Sequence, residues 1–225
     1  MSKKKVVVCM PVQDTVQAQT TQCLIDLLAH RSVIGRVQVE GTLVHKARNH
    51  LVKSAIEGFP KATHILFVDD DMVFTPDDLD KLLDSGKNVV GSVCVERNVP
   101  FHPCFVPKDK NWANMRKLIE GHTSTMSVDS VGMGFTLVKI SILKKLLKQT
   151  ERPFHFHSHT DYGEDYNFCS LLSGINEQVW VHCGSHVGHI AKLPISLEHF
   201  KYNLMNNPNT KELKDSIFEV KLQDS

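Results

Sequence analysis

The chain has 225 residues, with 26 Lys+Arg against 25 Asp+Glu, a net charge of +1 with histidine neutral, and a hydrophobic share of 41%. This allows one large domain, or a domain with an insert, around a sizeable core. It gives no global pull toward nucleic acid or a membrane surface. No apolar run is long enough to span a bilayer and no targeting segment is recognisable, which predicts a cytoplasmic protein without a membrane anchor.

Lys5 to Met10 reads as a first strand, stopped by Pro11. Thr20 to Ala29 has a helical apolar pattern in Cys23, Leu24, Leu27 and Leu28, and Val33 to Val39 makes a short second strand. Leu43 to Ile56 reads as a helix with Leu43, Ala47, Leu51 and Ala55 on one stripe and Gly58 at its end. The run from Thr63 to Val68 is a buried strand by its β-branched and aromatic content. Thr75-Pro76-Asp77-Asp78 is a helix start: threonine caps, proline fits the first turn, and the acids meet the positive end of the helix dipole. That helix ends at Gly86, and Asn88 to Val95 is a further strand.

This alternation predicts an α/β fold with a largely parallel sheet. From residue 97 to 127 the rhythm breaks into a loop-rich insert with Pro100, Pro103, Pro107, Trp112 and a basic patch at Lys108, Lys110, Arg116 and Lys117. Val128 to Leu137 returns as strand, interrupted by Gly132 and Gly134. Helices follow at Ile140–Leu147 and Glu164–Leu172, then a short strand at Gln178–His182. The domain is expected to span 1–192, with 193–225 as a partly flexible extension. The six cysteines, Cys9, Cys23, Cys94, Cys104, Cys169 and Cys183, form no C-x-x-C pair and read as buried reduced thiols.

The chemistry concentrates at Asp69-Asp70-Asp71, directly after a buried strand. Three adjacent carboxylates are costly unless a cation joins them, and the carboxyl end of an α/β strand is where ligands bind in this class. Hard oxygen ligands suit Mg²⁺ or Mn²⁺, which commonly also hold substrate phosphates. The competing reading is a solvated acidic loop in which Asp71 or Thr75 caps the next helix.

Four pieces recur in order: Ala47-Arg48-Asn49, Asp69-Asp70-Asp71, Gly163-Glu164-Asp165 and His186-Val187-Gly188-His189. Together, across roughly residues 5 to 190, the chain resembles the GT-A family of nucleotide-sugar-dependent glycosyltransferases. The resemblance implies a Rossmann-like, mixed but mostly parallel sheet flanked by helices, and a sugar donor carried on a nucleoside diphosphate. It implies Mn²⁺ or Mg²⁺ held by Asp71 and His189, with His186 as a nearby competitor. Asp69 would reach the donor ribose or the metal shell, with Asp70 between. Arg48 and Asn49 would contact the donor diphosphate or base, and Pro11, Val12 and Gln13 would line the nucleobase pocket. Glu164 or Asp165 would be the base that deprotonates the acceptor hydroxyl. Gly132 and Gly134 would let backbone approach the donor sugar, or mark a strand bulge.

The same residues admit blander roles. Arg48 fits an amphipathic helix surface, and acids at 164 and 165 suit any helix N-terminus. His155, His157 and His159 alternate at strand spacing with Asp161 close by; an acceptor-side loop fits them better than a zinc patch. A nucleotidyltransferase would want a glycine-rich loop after the first strand, where Pro11-Val12-Gln13-Asp14 stands. A non-catalytic nucleotide- or carbohydrate-binding module is the remaining alternative. The acceptor stays open among a glycan, a protein, a small molecule and a hydroxymethylated DNA base. For the last, the basic insert and Lys139, Lys144, Lys145, Lys148 and Arg152 could track phosphates. Whether transfer retains or inverts configuration, and the oligomeric state, also stay open.

Overall fold

The computed structural model describes residues 4–97, 101–108, 124–156 and 163–191. His157, His159, Asp161, Trp112, Lys110, Arg116, Lys117 and the 193–225 extension lie outside them. Strand β1 (Val6–Val12) is buried along its whole length. Its alternation sends Val7 and Cys9 to one face of the sheet and Val6, Val8, Met10 and Val12 to the other. It pairs in parallel with β2 (Val33–Glu40) and β3 (His64–Val68). Pro11 does not stop β1. Pairing with β3 ends at Cys9, so Pro11 lies in an overhang facing β2 alone, where a missing N–H is tolerated.

Eight strands form one sheet in the order β2-β1-β3-β8-β5-β9-β7-β6, where β5 is Val89–Val93, β6 Phe105–Pro107, β7 Thr125–Val131, β8 Phe135–Lys139 and β9 Val179–His186. β8 is antiparallel to both its neighbours and so is β7, while all other strands point one way. The sheet is therefore mixed, with six of its eight strands pointing one way, in line with the strand–helix alternation.

Helices α1 (Ala18–Leu28) and α3 (Pro76–Asp84) cover one face, packing Leu24, Leu27, Leu79 and Leu82 onto it. Helices α2 (Val44–Gly58), α4 (Ile140–Leu147) and α5 (Glu164–Gly174) cover the other with Leu51, Ala55, Leu143, Leu146, Phe168 and Leu172. Leu43 is outside the buried stripe: it precedes α2 and is 60% exposed. The start of α3 is as predicted, with the Asp78 carboxylate accepting from both the N–H and the hydroxyl of Thr75, each at 3.0 Å. The opposite end closes on Gly86 at φ +66°, the left-handed conformation glycine allows.

Two sequence expectations need correction. The run from Val128 to Leu137 is two strands that sit apart in the sheet, β7 starting at Thr125 and β8 at Phe135, because the chain changes place at Gly132-Met133-Gly134. Here Val131 passes close over Gly91, where a Cβ would meet Val131 Cγ2 at 2.6 Å. The insert is also less loop-like than expected, since Phe105–Pro107 pairs with β7 as an edge strand. Finally, a two-stranded ribbon joins β4 (Met72–Val73) to β10 (Gly188–His189).

Candidate functional site

Strands β1, β2, β3, β5 and β9 run the same way, so the chain after each leaves the sheet at a common edge. There Pro11 and Val12 at the end of β1 and Gln13 and Asp14 just past it, Gly41 to Val44 after β2, and Asp69, Asp70 and Asp71 after β3 line a cleft of about 810 Å³ together with Arg97, Phe156 and His189. A cleft beyond the carboxyl ends of parallel strands is the usual ligand position in open α/β sheets. Asp70 fixes one wall. Its carboxylate accepts from the Gln13 N–H at 3.1 Å and its carbonyl from the Gln17 N–H at 3.0 Å. Burial, together with its two acidic neighbours, raises its pKa against the pull of the Gln13 N–H.

The β4–β10 ribbon brings His189 to Asp71. Met72 faces His189 in the ladder, and the Ile190 N–H donates to the Asp71 carbonyl at 2.8 Å. His189 Nε2 then lies 3.4 Å from Asp71 Oδ2, and Arg97 Nη1 reaches the same oxygen at 2.7 Å. Burial pushes the Asp71 pKa up, but the His189 hydrogen bond and the charges of His189 and Arg97 outweigh it and hold the carboxyl low. The Asp71 and Cys104 side chains raise His189 to about 10 against desolvation. His189 Nδ1 lies 3.1 Å from the Val95 carbonyl, which can only accept, so Nδ1 carries a hydrogen.

Behind this cleft sits a second ionic group. Arg48 is 3% exposed; its Nε donates to Glu164 Oε1 at 3.0 Å and its Nη2 lies 3.2 Å from Asp69 Oδ1. Asp165 adjoins it at the start of α5. Its Oδ1 accepts from the Tyr166 N–H at 2.8 Å, and its Oδ2 lies 3.7 Å from where a Gly132 Cβ would stand. Burial first, and then the charge of Glu164, raise the Asp165 pKa against the pull of Arg48. A Cβ at Gly134 would come within 3.6 Å of Asp69 Oδ2. The two glycines thus keep space beside two acidic side chains.

The structure gathers Pro11, Gln13, Asp69, Asp70, Asp71 and His189 on one cleft. Arg48 lies behind it, engaged with two carboxylates. Asn49 faces a different groove, its amide bonded to both the carbonyl (2.6 Å) and the N–H (3.1 Å) of Phe154. Glu164 is buried against Arg48, whereas Asp165 has no ion pair among the described residues. His186 is exposed, with Nε2 on the Cys183 carbonyl at 2.7 Å. Sequence reasoning missed Arg97. The available signal was its place: a cation just past a parallel strand belongs at the ligand edge.

The donor set fits a divalent cation of the Mg²⁺ or Mn²⁺ kind. Asp71 and Asp69 offer carboxylate oxygens, and Asp69 Oδ1, buried and 3.2 Å from Arg48 Nη2, receives no aligned hydrogen bond among the described residues, that of Arg48 going to Oδ2 at 3.3 Å. The Val95 carbonyl fixes the His189 tautomer that leaves Nε2 to ligate, the usual outer support of a ligand histidine. Among the described residues no three His, Cys, Asp or Glu side chains converge as a closed metal cage. Such a partial protein shell suits an ion whose remaining positions go to water and phosphate oxygens.

No family model matches the chain, and no curated protein sequence matches it. Solved structures do. The crystal structure of A197 from STIV aligns with a TM-score of 0.57 at 18% identity, over 84% of this chain and 86% of that one. GalNAc-T7, crystallised with UDP, GalNAc and Mn²⁺, aligns with a TM-score of 0.54 at 10% identity, over 84% of this chain but 43% of its own length. The likeness carries the fold: a GT-A, Rossmann-like mixed sheet flanked by helices. No helix among the described residues is long and apolar enough to cross a membrane.

Proposed function

We propose that the protein is a metal-dependent glycosyltransferase, moving a sugar from a nucleoside-diphosphate donor to a hydroxyl acceptor. The observation that carries this reading is the β4–β10 ribbon, which sets His189 Nε2 3.4 Å from Asp71 Oδ2 at the mouth of the cleft. GalNAc-T7, which shares the fold, was crystallised with UDP, GalNAc and Mn²⁺, and this supports a nucleotide sugar and a divalent ion here.

In this reading Asp71 and His189 hold Mn²⁺ or Mg²⁺, with Asp69 at its shell. When bound, the ion supplies a Lewis acid that offsets the charge growing on the departing diphosphate. Pro11, Val12 and Gln13 take the nucleoside end of the cleft. Gly132 and Gly134 leave room for the sugar beside Asp69 and Asp165. Asp165 accepts the acceptor hydroxyl proton as the new glycosidic bond forms and the bond from sugar carbon to diphosphate oxygen breaks. Its burial and its acidic neighbour raise its proton affinity, which suits a base. Glu164 has the other task of holding Arg48, which orients Asp69.

The test is a mass-spectrometric screen of nucleotide sugars against glycan, protein, small-molecule and hydroxymethylated-DNA acceptors, with Mn²⁺, with Mg²⁺ and with EDTA. The reading expects transfer, or donor hydrolysis without acceptor, that EDTA and Asp71→Asn both abolish. Turnover indifferent to both would remove the metal role, and no turnover with any donor would remove the transferase.

A further inference from the structure

We propose that Arg97 is an exchangeable cation of the donor cleft: it holds Asp71 while no metal ion is bound, and moves to the donor diphosphate once a divalent cation takes that carboxylate. The inference rests on the reading of the cleft as a metal–donor site. It adds a residue and an order of events that the reading does not contain.

The first ground is that Arg97 and His189 both point at one atom. Arg97 Nη1 is 2.7 Å and His189 Nε2 3.4 Å from Asp71 Oδ2. A carboxylate oxygen serving a divalent cation holds a guanidinium much less tightly, because its charge is shared and the two cations repel at that range. Arg97 therefore leaves Asp71 when the metal arrives.

The second ground is that Arg97 is free to leave. Its side chain is 55% exposed and its ion pair among the described residues is with a single carboxylate, whereas the Arg48 side chain is 4% exposed and lies between two. Exposed pairs hold weakly, and a long flexible stem swings at little cost.

The third ground is where Arg97 can go. It lines the same cleft as Gln13, Gly41, Thr42 and the three aspartates, so a displaced guanidinium stays at the ligand. A planar fork of donors matches paired phosphate oxygens better than any other side chain does. Arg97 then neutralises Asp71 before loading and diphosphate after it, so the acidic cleft keeps a counter-charge in both states.

The experiment titrates Mn²⁺ into the full chain without nucleotide, following the electron paramagnetic resonance signal of the free ion. It then titrates inorganic pyrophosphate at saturating Mn²⁺ by calorimetry. Wild type, Arg97→Ala, Arg97→Lys and Asp71→Asn are compared, with a circular dichroism melt to show each is folded. Arg97→Ala should bind Mn²⁺ about two- to fivefold tighter, the worth of an exposed ion pair. It should bind pyrophosphate about tenfold or more weakly, with Arg97→Lys between it and wild type. Unchanged or weaker Mn²⁺ binding by Arg97→Ala would overturn the placeholder role, and undiminished pyrophosphate binding would overturn the handover. If wild type bound Mn²⁺ no better than Asp71→Asn, the metal-site reading itself would fall. That result differs from a wild type that binds Mn²⁺ while Arg97→Ala shows no gain.

Discussion

Replacing Arg48 with methionine separates two roles that a sequence cannot tell apart. A donor-phosphate ligand is expendable for folding; a buried counter-ion is not. Arg48 is 3% exposed, its Nε bonded to Glu164 at 3.0 Å and its Nη2 within 3.2 Å of Asp69. Methionine keeps much of the stem volume and removes the charge, leaving a buried Glu164 with no partner among the described residues. Breaking a buried pair from one side costs about 3–5 kcal/mol, mostly the penalty of the stranded charge. For a folded unit of this size, about 2–4 °C of melting temperature per kcal/mol gives a loss of about 6–20 °C. Urea denaturation followed by tryptophan fluorescence and circular dichroism measures it, and coincidence of the two probes checks two-state behaviour. Glu164→Gln in the Arg48→Met background should restore part of the loss, because the stranded charge disappears. A drop below about 1 kcal/mol, with donor affinity lost instead, would refute the counter-ion role and make Arg48 a donor ligand.

Three further outcomes follow from the same geometry. Asp165→Asn should leave donor affinity near wild type, lower transfer by roughly 10²–10⁴-fold and erase the acidic limb of the pH–rate profile; the opposite pattern, weak donor binding with normal saturated turnover, would make Asp165 a substrate ligand. Gly132→Ala puts a Cβ 3.3 Å from the Cys104 carbonyl, which is backbone and cannot yield, so it should cost about 1–3 kcal/mol in urea, whereas Gly134→Ala meets the flexible end of Met72 at 3.1 Å and should cost less. Burial, with Lys4 and Lys139 nearby, lowers His64 from 6.5 to about 4, so its contribution is complete above pH 6.5 and drains away as pH falls toward 4. That is about 3 kcal/mol at most, and His64→Gln should flatten the melting temperature across this window.

The elements that the sequence made legible are those whose local signals agree with their packing. The α3 start combines a cap, a first-turn proline and acids, and the structure has it at Thr75 and Pro76. The α4 limits, Ile140 and Leu147, follow from a clear apolar period. What stayed hidden depends on non-local contact. Nothing within Val128–Leu137 says that its two halves belong to different places in the sheet; that follows from how β7 meets β9 and β8 meets β3. Arg48 falls on the buried face of α2 with Leu51, Val52 and Ala55, where its charge argues against burial, and only the fold reveals Glu164 and Asp69 on either side of it. Asn49 likewise spends its amide on the Phe154 backbone, 105 residues away. Arg97 reads as the first residue of an insert until β5 is known to run parallel to β3.

Burial sorts the two arginines of this acidic edge into different tasks. Asp69 and Asp71 are two residues apart, and each meets a guanidinium. Beside Asp69, Arg48 is walled in by α2 and the start of α5 and shared with Glu164, so Asp69 has a fixed orientation. Beside Asp71, Arg97 is exposed and bound to one carboxylate among the described residues, so Asp71 has a partner that can depart. Under the proposed metal–donor reading, a permanent counter-ion on Asp71 would compete with the cation at every loading. The site does gain from rigidity in the neighbouring carboxylate, because a preorganised shell costs less ordering when ligand arrives. The positions of Arg48 and Arg97 meet both demands with one residue type, and the difference lies in the solvent around each rather than in the chemistry of either.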